Sequence, residues 1–260
     1  MSYTVGCVPY LNAKPLVRRF HNLGDDSPVR VVYDVPSKLP ALLAEGSVQA
    51  ILVSSIEALR APCRVADGVS ISSQSEVMSV RVLSKVPFLE IETLALDRSS
   101  MTSNALAEIM LRTIRRKPYR TVVAPPDLDA MLAHADAAVL IGDNGMRADG
   151  RGLLDVDLGR AWNELTGLPF VWAMWMGHEG LEDALAQHLR DAAAWGVQHL
   201  DDVIPQAAAE TGFSLEEAGH YLRTIMDYRL GDHHKQGLAE FAARLVAGGF
   251  IPKAEQPQWL

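Results

Sequence analysis

The chain has 260 residues, of which 48% are hydrophobic and 22% charged, a balance that builds a buried core rather than a disordered chain. Its net charge of −8 comes without a stripe of lysine or arginine, which argues against nucleic acid and anionic membrane as partners. The two cysteines, Cys7 and Cys63, form no CxxC, which excludes a disulfide framework and a zinc ribbon, and no apolar run approaches the roughly 18 residues that span a bilayer.

Taken in chain order, the first element is a strand over Thr4–Val8. Its Val5-Gly6-Cys7 resembles a lipoprotein cleavage box, but neither a basic stretch nor an apolar segment precedes it, so the chain reads as cytoplasmic with both thiols reduced. Cys7 itself reads as a small core hydrophobe. Further strand-type runs follow at Val29–Val35, Gln49–Val53, Ser70–Ser73, Val77–Leu83, Thr93–Leu96, Thr121–Ala124, Ala137–Ile141 and Phe170–Trp175. Helical stretches separate many of them. Ser37 is placed to cap a helix ending at Gly46, Thr102 or Ser103 to cap one over Ala105–Arg115, and Asp127 to open Leu128–Ala135. This alternation predicts α/β layers around mostly parallel sheet. From about Gly180 the pattern turns helical only: Leu181–Trp195, Leu215–Tyr228 behind the capping box of Ser214 and Glu217, and Gln236–Val246 stopped by Gly248-Gly249. The tryptophan-rich run from Val171 to Met176 reads as core strand, and His233-His234 as part of a polar turn without metal-ligand spacing.

An internal repeat organises the chain. Pro36–Ser55 aligns without a gap on Pro125–Asn144, 89 residues later, each reading as loop, short helix, apolar strand and a polar pair, Ser54-Ser55 in one and Asp143-Asn144 in the other. Two similar α/β lobes would face these pairs across a cleft, since ligands of such sheets sit beyond the carboxyl ends of strands. The expected division is one lobe over residues 1–85 plus 176–260 and a second over 86–175, with hinge crossings at Ser84–Phe88 and Trp175–Gly180.

No nucleotide loop, zinc-protease helix, nucleophile elbow or kinase signature is present. Three segments remain to carry chemistry. Asn12, in Val8-Pro9-Tyr10-Leu11-Asn12-Ala13-Lys14-Pro15, is either a turn former or an amide aimed at a ligand. Ser79 shares a strand face with Arg81, which is either solvated or functional. The run Asp97-Arg98-Ser99-Ser100-Met101-Thr102-Ser103-Asn104 opens a long helix, where free N–H groups and four hydroxyls suit a carboxylate or phosphate. Asp97 and Asp143 are the carboxylates placed to act as a general base, or to cap.

Gly6-Cys7-Val8-Pro9-Tyr10-Leu11-Asn12-Ala13-Lys14-Pro15-Leu16 resembles the opening of the MqnA family, the chorismate dehydratases of the futalosine route to menaquinone. Val77-Met78-Ser79-Val80 with Leu83-Ser84-Lys85-Val86-Pro87 resembles the family's serine-bearing strand, and Ser99–Ser103 its helix start. Ala137–Asp143, Asp157-Leu158-Gly159, Trp162 and Thr166–Val171 resemble its later blocks, so the likeness spans most of residues 5–176. Asp143-Asn144-Gly145-Met146 departs from the family, whose members often carry a small residue and Leu there. The sister family MqnD shares the fold but opens differently.

The resemblance implies a two-lobed fold like the type II periplasmic binding proteins and loss of water from chorismate to give 3-[(1-carboxyvinyl)oxy]benzoate, with no cofactor and no metal. It places the family's functional Asn and Ser at Asn12 and Ser79. Ser54, Ser55, Thr102, Ser103 and Asp143 are then the expected substrate-binding residues, with the Ser54-Ser55 pair and the Thr102-Ser103 helix start each facing one carboxylate of the substrate. The competing reading is a cytoplasmic non-catalytic binding or sensor module for a small acid.

Overall fold

The computed structural model describes residues 2–115 and 117–260. All nine strands expected from the apolar runs are present: β1 (Tyr3–Cys7), β2 (Val29–Tyr33), β3 (Ala50–Ser54), β4 (Arg64–Ser73), β5 (Arg81–Ser84), β6 (Thr93–Asp97), β7 (Arg120–Ala124), β8 (Ala137–Leu140) and, after the short β9 (Leu154–Asp157), β10 (Phe170–Gly177). The helices among them are α1 (Lys14–Leu23), α2 (Leu39–Ala44), α3 (Ser55–Arg60), α4 (Thr102–Ile114), α5 (Leu128–His134), α6 (Gly142–Arg147) and α7 (Leu158–Thr166).

These strands form two sheets, one per lobe. The first runs β11-β4-β10-β3-β1-β2, where β11 is Asp227–Leu230, and β12 (Gln258–Trp259) pairs alongside β4. The second runs β7-β6-β8-β5-β9. Both are mixed rather than mostly parallel. β1 lies parallel to β2 and β3, and β6 parallel to β7 and β8, but β10 and β5 run antiparallel to their neighbours. Each of those two strands follows a passage between lobes, and it enters the new sheet in the reverse direction.

The passages themselves lie earlier in the chain than the expected hinges. The chain leaves the first sheet after Ser73 and joins the second at Arg81; it leaves the second after Asp157 and rejoins the first at Phe170. The apolar run Val77–Leu83 hides the first passage, because it reads as one strand while Met78 takes a left-handed backbone, φ 58°, and breaks it. That conformation costs a residue with a Cβ about 1–2 kcal/mol. Asp157 holds it in place, accepting from the N–H groups of Val77 at 3.1 Å and Met78 at 2.7 Å.

The repeat is a structural one. α2 and α5 start 89 residues apart, at Leu39 and Leu128, and each feeds a strand at the centre of its sheet. Asp127 caps α5 as expected, its carboxylate accepting from Ala130 N–H. Neither Ser37 nor Thr102 or Ser103 caps a helix; Lys38 and Met101 occupy those positions without side-chain bonds, which leaves the hydroxyls of α4 for other partners.

Beyond β10 the chain is not all helix. α8 (Asp183–Gln198) and α9 (Leu200–Thr211) pack against α1, and α10 begins at the predicted Ser214–Glu217 capping box but ends at His220. A π-helical turn, Tyr221–Ile225, then delivers the chain into β11. The expected helix over Leu215–Tyr228 therefore stops halfway, because Tyr228 and Leu230 alternate inward on the edge of β4, a period-two pattern that the preceding helical residues obscure. α11 (Asp232–Ala247) takes His233 and His234 into its first turn rather than leaving them in a loop. Its Phe241 meets Trp162 of α7 and Phe170 of β10 edge-on, with ring centroids 6.2 and 4.9 Å away, fastening the C-terminal helix over the second passage. Cys7 and Cys63 are buried free thiols, and no described helix is long and apolar enough to cross a membrane.

Candidate active site

The strand ends of both lobes converge on one small cavity, about 60 Å³, walled by Val8, Tyr10, Asn12, Pro36, Ser54, Ile71, Ser79, Val80, Ser103, Ile141, Gly142, Trp172 and Ala173. Asn12, Ser54, Ser79 and Ser103, expected from four separate segments, are thereby brought together. Each reaches the cavity for a local reason. Asn12 sits on a single turn, Leu11–Ala13, that Pro9 and Pro15 frame between β1 and α1. Ser54 ends β3, and Ser103 lies in the first turn of α4. Ser79 follows the left-handed Met78 in a tight turn in which its N–H donates to the Val77 carbonyl at 2.6 Å, so it belongs to the passage between lobes and not to a strand face.

The other three expected residues surround the cavity without lining it. Ser55 and Thr102 are buried, their hydroxyl oxygens 3.5 Å apart, and Thr102 Oγ1 also accepts from Ile56 N–H at 3.1 Å. These bonds join α3 of the first lobe to α4 of the second. Asp143, at the start of α6, accepts from Leu11 N–H at 2.9 Å and so makes a second tie between the lobes. A third contact follows from Gly142, whose φ is +56° and whose position of closest approach places a Cβ 3.0 Å from the Tyr10 ring; only glycine admits both. With these ties made, the cavity is far smaller than the roughly 300–1,000 Å³ of an ordinary small-molecule site.

Two tyrosines complete the site, and sequence reasoning passed over both. Tyr221, first residue of the π turn, is buried and donates its phenol proton to Ser79 Oγ at 2.7 Å, while accepting from Asn12 Nδ2 at 3.3 Å. Tyr228 of β11 donates to the backbone carbonyl of Asn12 at 3.0 Å. The alternation of Asp227-Tyr228-Arg229-Leu230 is the signal that would have found the second; π turns recur at functional sites, but none is visible in sequence. Asn12 Oδ1 is buried and has no hydrogen-bond partner among the described residues. Trp172 has a double role: it is core strand as expected, yet it also lines the cavity, its indole held by an Nε1 bond to Ser73 Oγ at 3.1 Å.

The electrostatics are those of a neutral, desolvated pocket. Tyr10 is the titratable residue among those that wall it, and burial pushes that phenol up to about 12, with Ser99 acting in the opposite direction. Asp97 and Asp143, weighed as bases, stand behind the wall. Burial raises both carboxyls above the usual range; for Asp97 the N–H and hydroxyl of Ser99, at 2.8 and 2.6 Å, act in the opposite direction. Burial likewise lifts the Tyr221 phenol well above the tyrosine range, so it stays protonated. No three His, Cys, Asp or Glu side chains of the described residues converge as a metal site. A much larger groove, about 850 Å³, lies apart from these groups between α8 and the segment Leu222–Arg229, but its cations are already engaged, Arg229 with Asp227, Arg223 with Asp201 and Arg190 with the terminal Leu260 oxygen.

Comparison with known proteins agrees with this architecture. Chorismate dehydratase of Thermus thermophilus is 29% identical over 264 residues, covering 94% of this chain and 95% of its own length, and chorismate dehydratase of Campylobacter jejuni is 26% identical, covering 91% and 94%. Among solved structures, a protein of Archaeoglobus fulgidus superposes with a TM-score of 0.77 at 18% identity, covering 96% of this chain and 98% of that one. The periplasmic aliphatic sulphonate binding protein of Escherichia coli superposes with a TM-score of 0.64 at 15% identity, over 100% and 93%, which makes the fold that of the periplasmic binding proteins. The family model described as menaquinone biosynthesis matches residues 3–247, and the chain belongs to that MqnA-type family.

Proposed function

We propose that this protein is a chorismate dehydratase, a hydro-lyase that removes water from chorismate to give 3-[(1-carboxyvinyl)oxy]benzoate. The observation that carries the reading is the meeting of Asn12 and Ser79 in one small cavity whose wall holds serines and an amide but no carboxylate, imidazole or amine. Chorismate brings two carboxylates of its own, so the chemistry needs donors and positioning from the protein more than it needs a base.

In this reading Ser54 and Ser103, with the N–H groups that open α4, receive the carboxylates. The proton at C3 leaves first, and the charge spreads into the conjugated ring carboxylate, where oriented donors stabilise it as it develops. The C4 hydroxyl then departs as the ring becomes aromatic. One C–H and one C–O bond break, one C=C forms, and water is the sole by-product. The substrate's side-chain carboxylate accepts the proton from C3 and returns it to the departing hydroxyl, with Ser79 donating to that carboxylate and Asn12 placing the substrate beside it. Ser55, Thr102 and Asp143 keep the lobes shut around the substrate and exclude water.

A second reading rests on the fold alone: periplasmic binding proteins of this architecture bind without reacting, so a small-acid binding or sensor protein is its natural rival. Incubation of purified protein with chorismate, followed by ultraviolet absorbance and mass spectrometry, separates the two. A newly aromatic product one water lighter than chorismate supports the dehydratase; unchanged chorismate with folded protein supports the rival. Asn12→Ala and Ser79→Ala, folded but with turnover reduced on the order of 10²-fold or more, are expected if the assigned roles are right.

A further inference from the structure

Asn12 and Ser79 lie in different lobes' approaches to the cavity, and the group that joins them comes from neither motif. The Tyr221 hydroxyl has a single hydrogen. It is spent on Ser79 Oγ at 2.7 Å, and the same oxygen accepts from Asn12 Nδ2 at 3.3 Å. This fixes the sense of the chain: amide N–H to phenol oxygen, phenol O–H to serine oxygen. Two consequences follow at the cavity. Ser79 already accepts from Tyr221, so its own hydrogen is free to be given to a ligand. Asn12 has its nitrogen turned to Tyr221, so its Oδ1 is the atom left over, and that atom is buried without a partner among the described residues. An orphaned acceptor of this kind is unfavourable until a donor reaches it.

We propose that Tyr221 is a positioning residue that polarises the site, presenting Ser79 as a hydrogen-bond donor and Asn12 Oδ1 as an acceptor, and so selects a ligand that offers an oxygen anion beside a hydroxyl. The proposal rests on the dehydratase reading for the identity of that ligand: the side-chain carboxylate takes the Ser79 proton, and the hydroxyl that is to leave gives its hydrogen bond to Asn12. A simple dicarboxylate without the hydroxyl would leave Asn12 Oδ1 orphaned. The backbone is built for the task. Tyr221 is fully buried, and the π turn it begins projects it between α10 and β11. Tyr228 holds Asn12 by its carbonyl, which leaves the amide group to Tyr221 alone.

The test uses Tyr221→Phe, which removes one oxygen and keeps the ring. On chorismate it is expected to lose about 10²-fold in kcat with a smaller change in KM. Because Tyr221 acts through Ser79 as well as Asn12, the double variant Ser79→Ala with Tyr221→Phe is expected to be slower than Ser79→Ala alone by clearly less than the loss that Tyr221→Phe causes in the wild type; a merely structural role would instead multiply the two losses. A substrate-independent measurement accompanies the kinetics. In ¹⁵N-labelled wild type, one side-chain amide proton of Asn12, assigned by its loss in Asn12→Ala, is expected to exchange slowly with solvent. That protection is lost in Tyr221→Phe and kept in Tyr228→Phe. If wild type fails to dehydrate chorismate, the proposed function falls while the amide signal still decides the hydrogen-bond chain. Unprotected Asn12 amide protons in wild type, protection that survives Tyr221→Phe, unchanged kcat, or multiplicative losses in the double variant would each overturn the proposal.

Discussion

The backbone N–H of Leu11 donates to the carboxylate of Asp143 at 2.9 Å, so the residue preceding Asn12 is tied to the opposite lobe. The contact between the lobes and the placing of Asn12 thus share one hydrogen bond. Asp143→Ala removes a bond to a carboxylate, a class worth about 1.5–3 kcal/mol, and is expected to lower kcat/KM on chorismate by roughly tenfold. Asp143→Asn, which keeps a side-chain acceptor, should recover part of the loss. Steady-state kinetics of the pair check this; equal efficiency of the alanine variant and wild type would contradict it.

Gly145 sets the height of the serine. A Cβ there would stand 2.2 Å from the Ser79 carbonyl oxygen and 2.9 Å from its carbonyl carbon. Both are backbone and neither can swing aside, so Gly145→Ala must push the Ser79 turn or α6 away. Overpacking of this kind costs about 1–3 kcal/mol. Turnover is expected to fall at least tenfold in protein that still unfolds cooperatively, by calorimetry and assay on the same sample.

Asp157 is the brace beneath that turn. Its carboxylate accepts from Val77, Met78 and Arg160 N–H groups, the last at 2.9 Å, joining the strained Met78 to the start of α7. Asp157→Ala should destabilise the protein by about 2 kcal/mol and reduce turnover together, since it releases the left-handed residue next to Ser79. Met78→Gly, in contrast, removes the steric strain and should retain stability better than Met78→Val, as read by chemical denaturation.

Asp227 predicts a pH dependence away from the site. Burial acts to raise its pKa, but bonds from His234, Arg229 and Gln74 outweigh it and hold the carboxyl far below the usual range. Its folded pKa is depressed, so its contribution is complete above the unfolded value of about 3.9 and is lost as pH falls below that. Asp227→Asn is expected to cost about 2–3 kcal/mol at pH 7 and distinctly less at pH 3, by urea unfolding at each pH.

The strands could be read because each central one is a short apolar run bounded by turn residues, and both helix–strand units of the repeat could be read because their pattern is local. Two short strands could not. β9, with Leu154 exposed, and the two-residue β12 carry too little apolar signal. The passages between lobes were misplaced for a different reason: an apolar run such as Val77–Leu83 does not reveal a residue forced into a left-handed turn by a carboxylate 79 residues away. The site was half visible. Asn12, Ser54, Ser79 and Ser103 stand in motifs, whereas Tyr221 is an unremarkable aromatic on a helical face until the π turn and β11 redirect it.

The chain visits the first sheet, crosses, builds the second, and comes back before Tyr221 is made. During synthesis every segment that carries a readable motif emerges ahead of the phenol that joins two of them. A nascent chain with all of residues 1–212 outside the ribosome would hold both sheets' central strands, both halves of the repeat and Asn12, Ser54, Ser79 and Ser103, and would still lack the joint. On the dehydratase reading, the candidate site is therefore completed only by residues beyond 212, and the π turn and β11 are as much a part of it as the motifs that announce it.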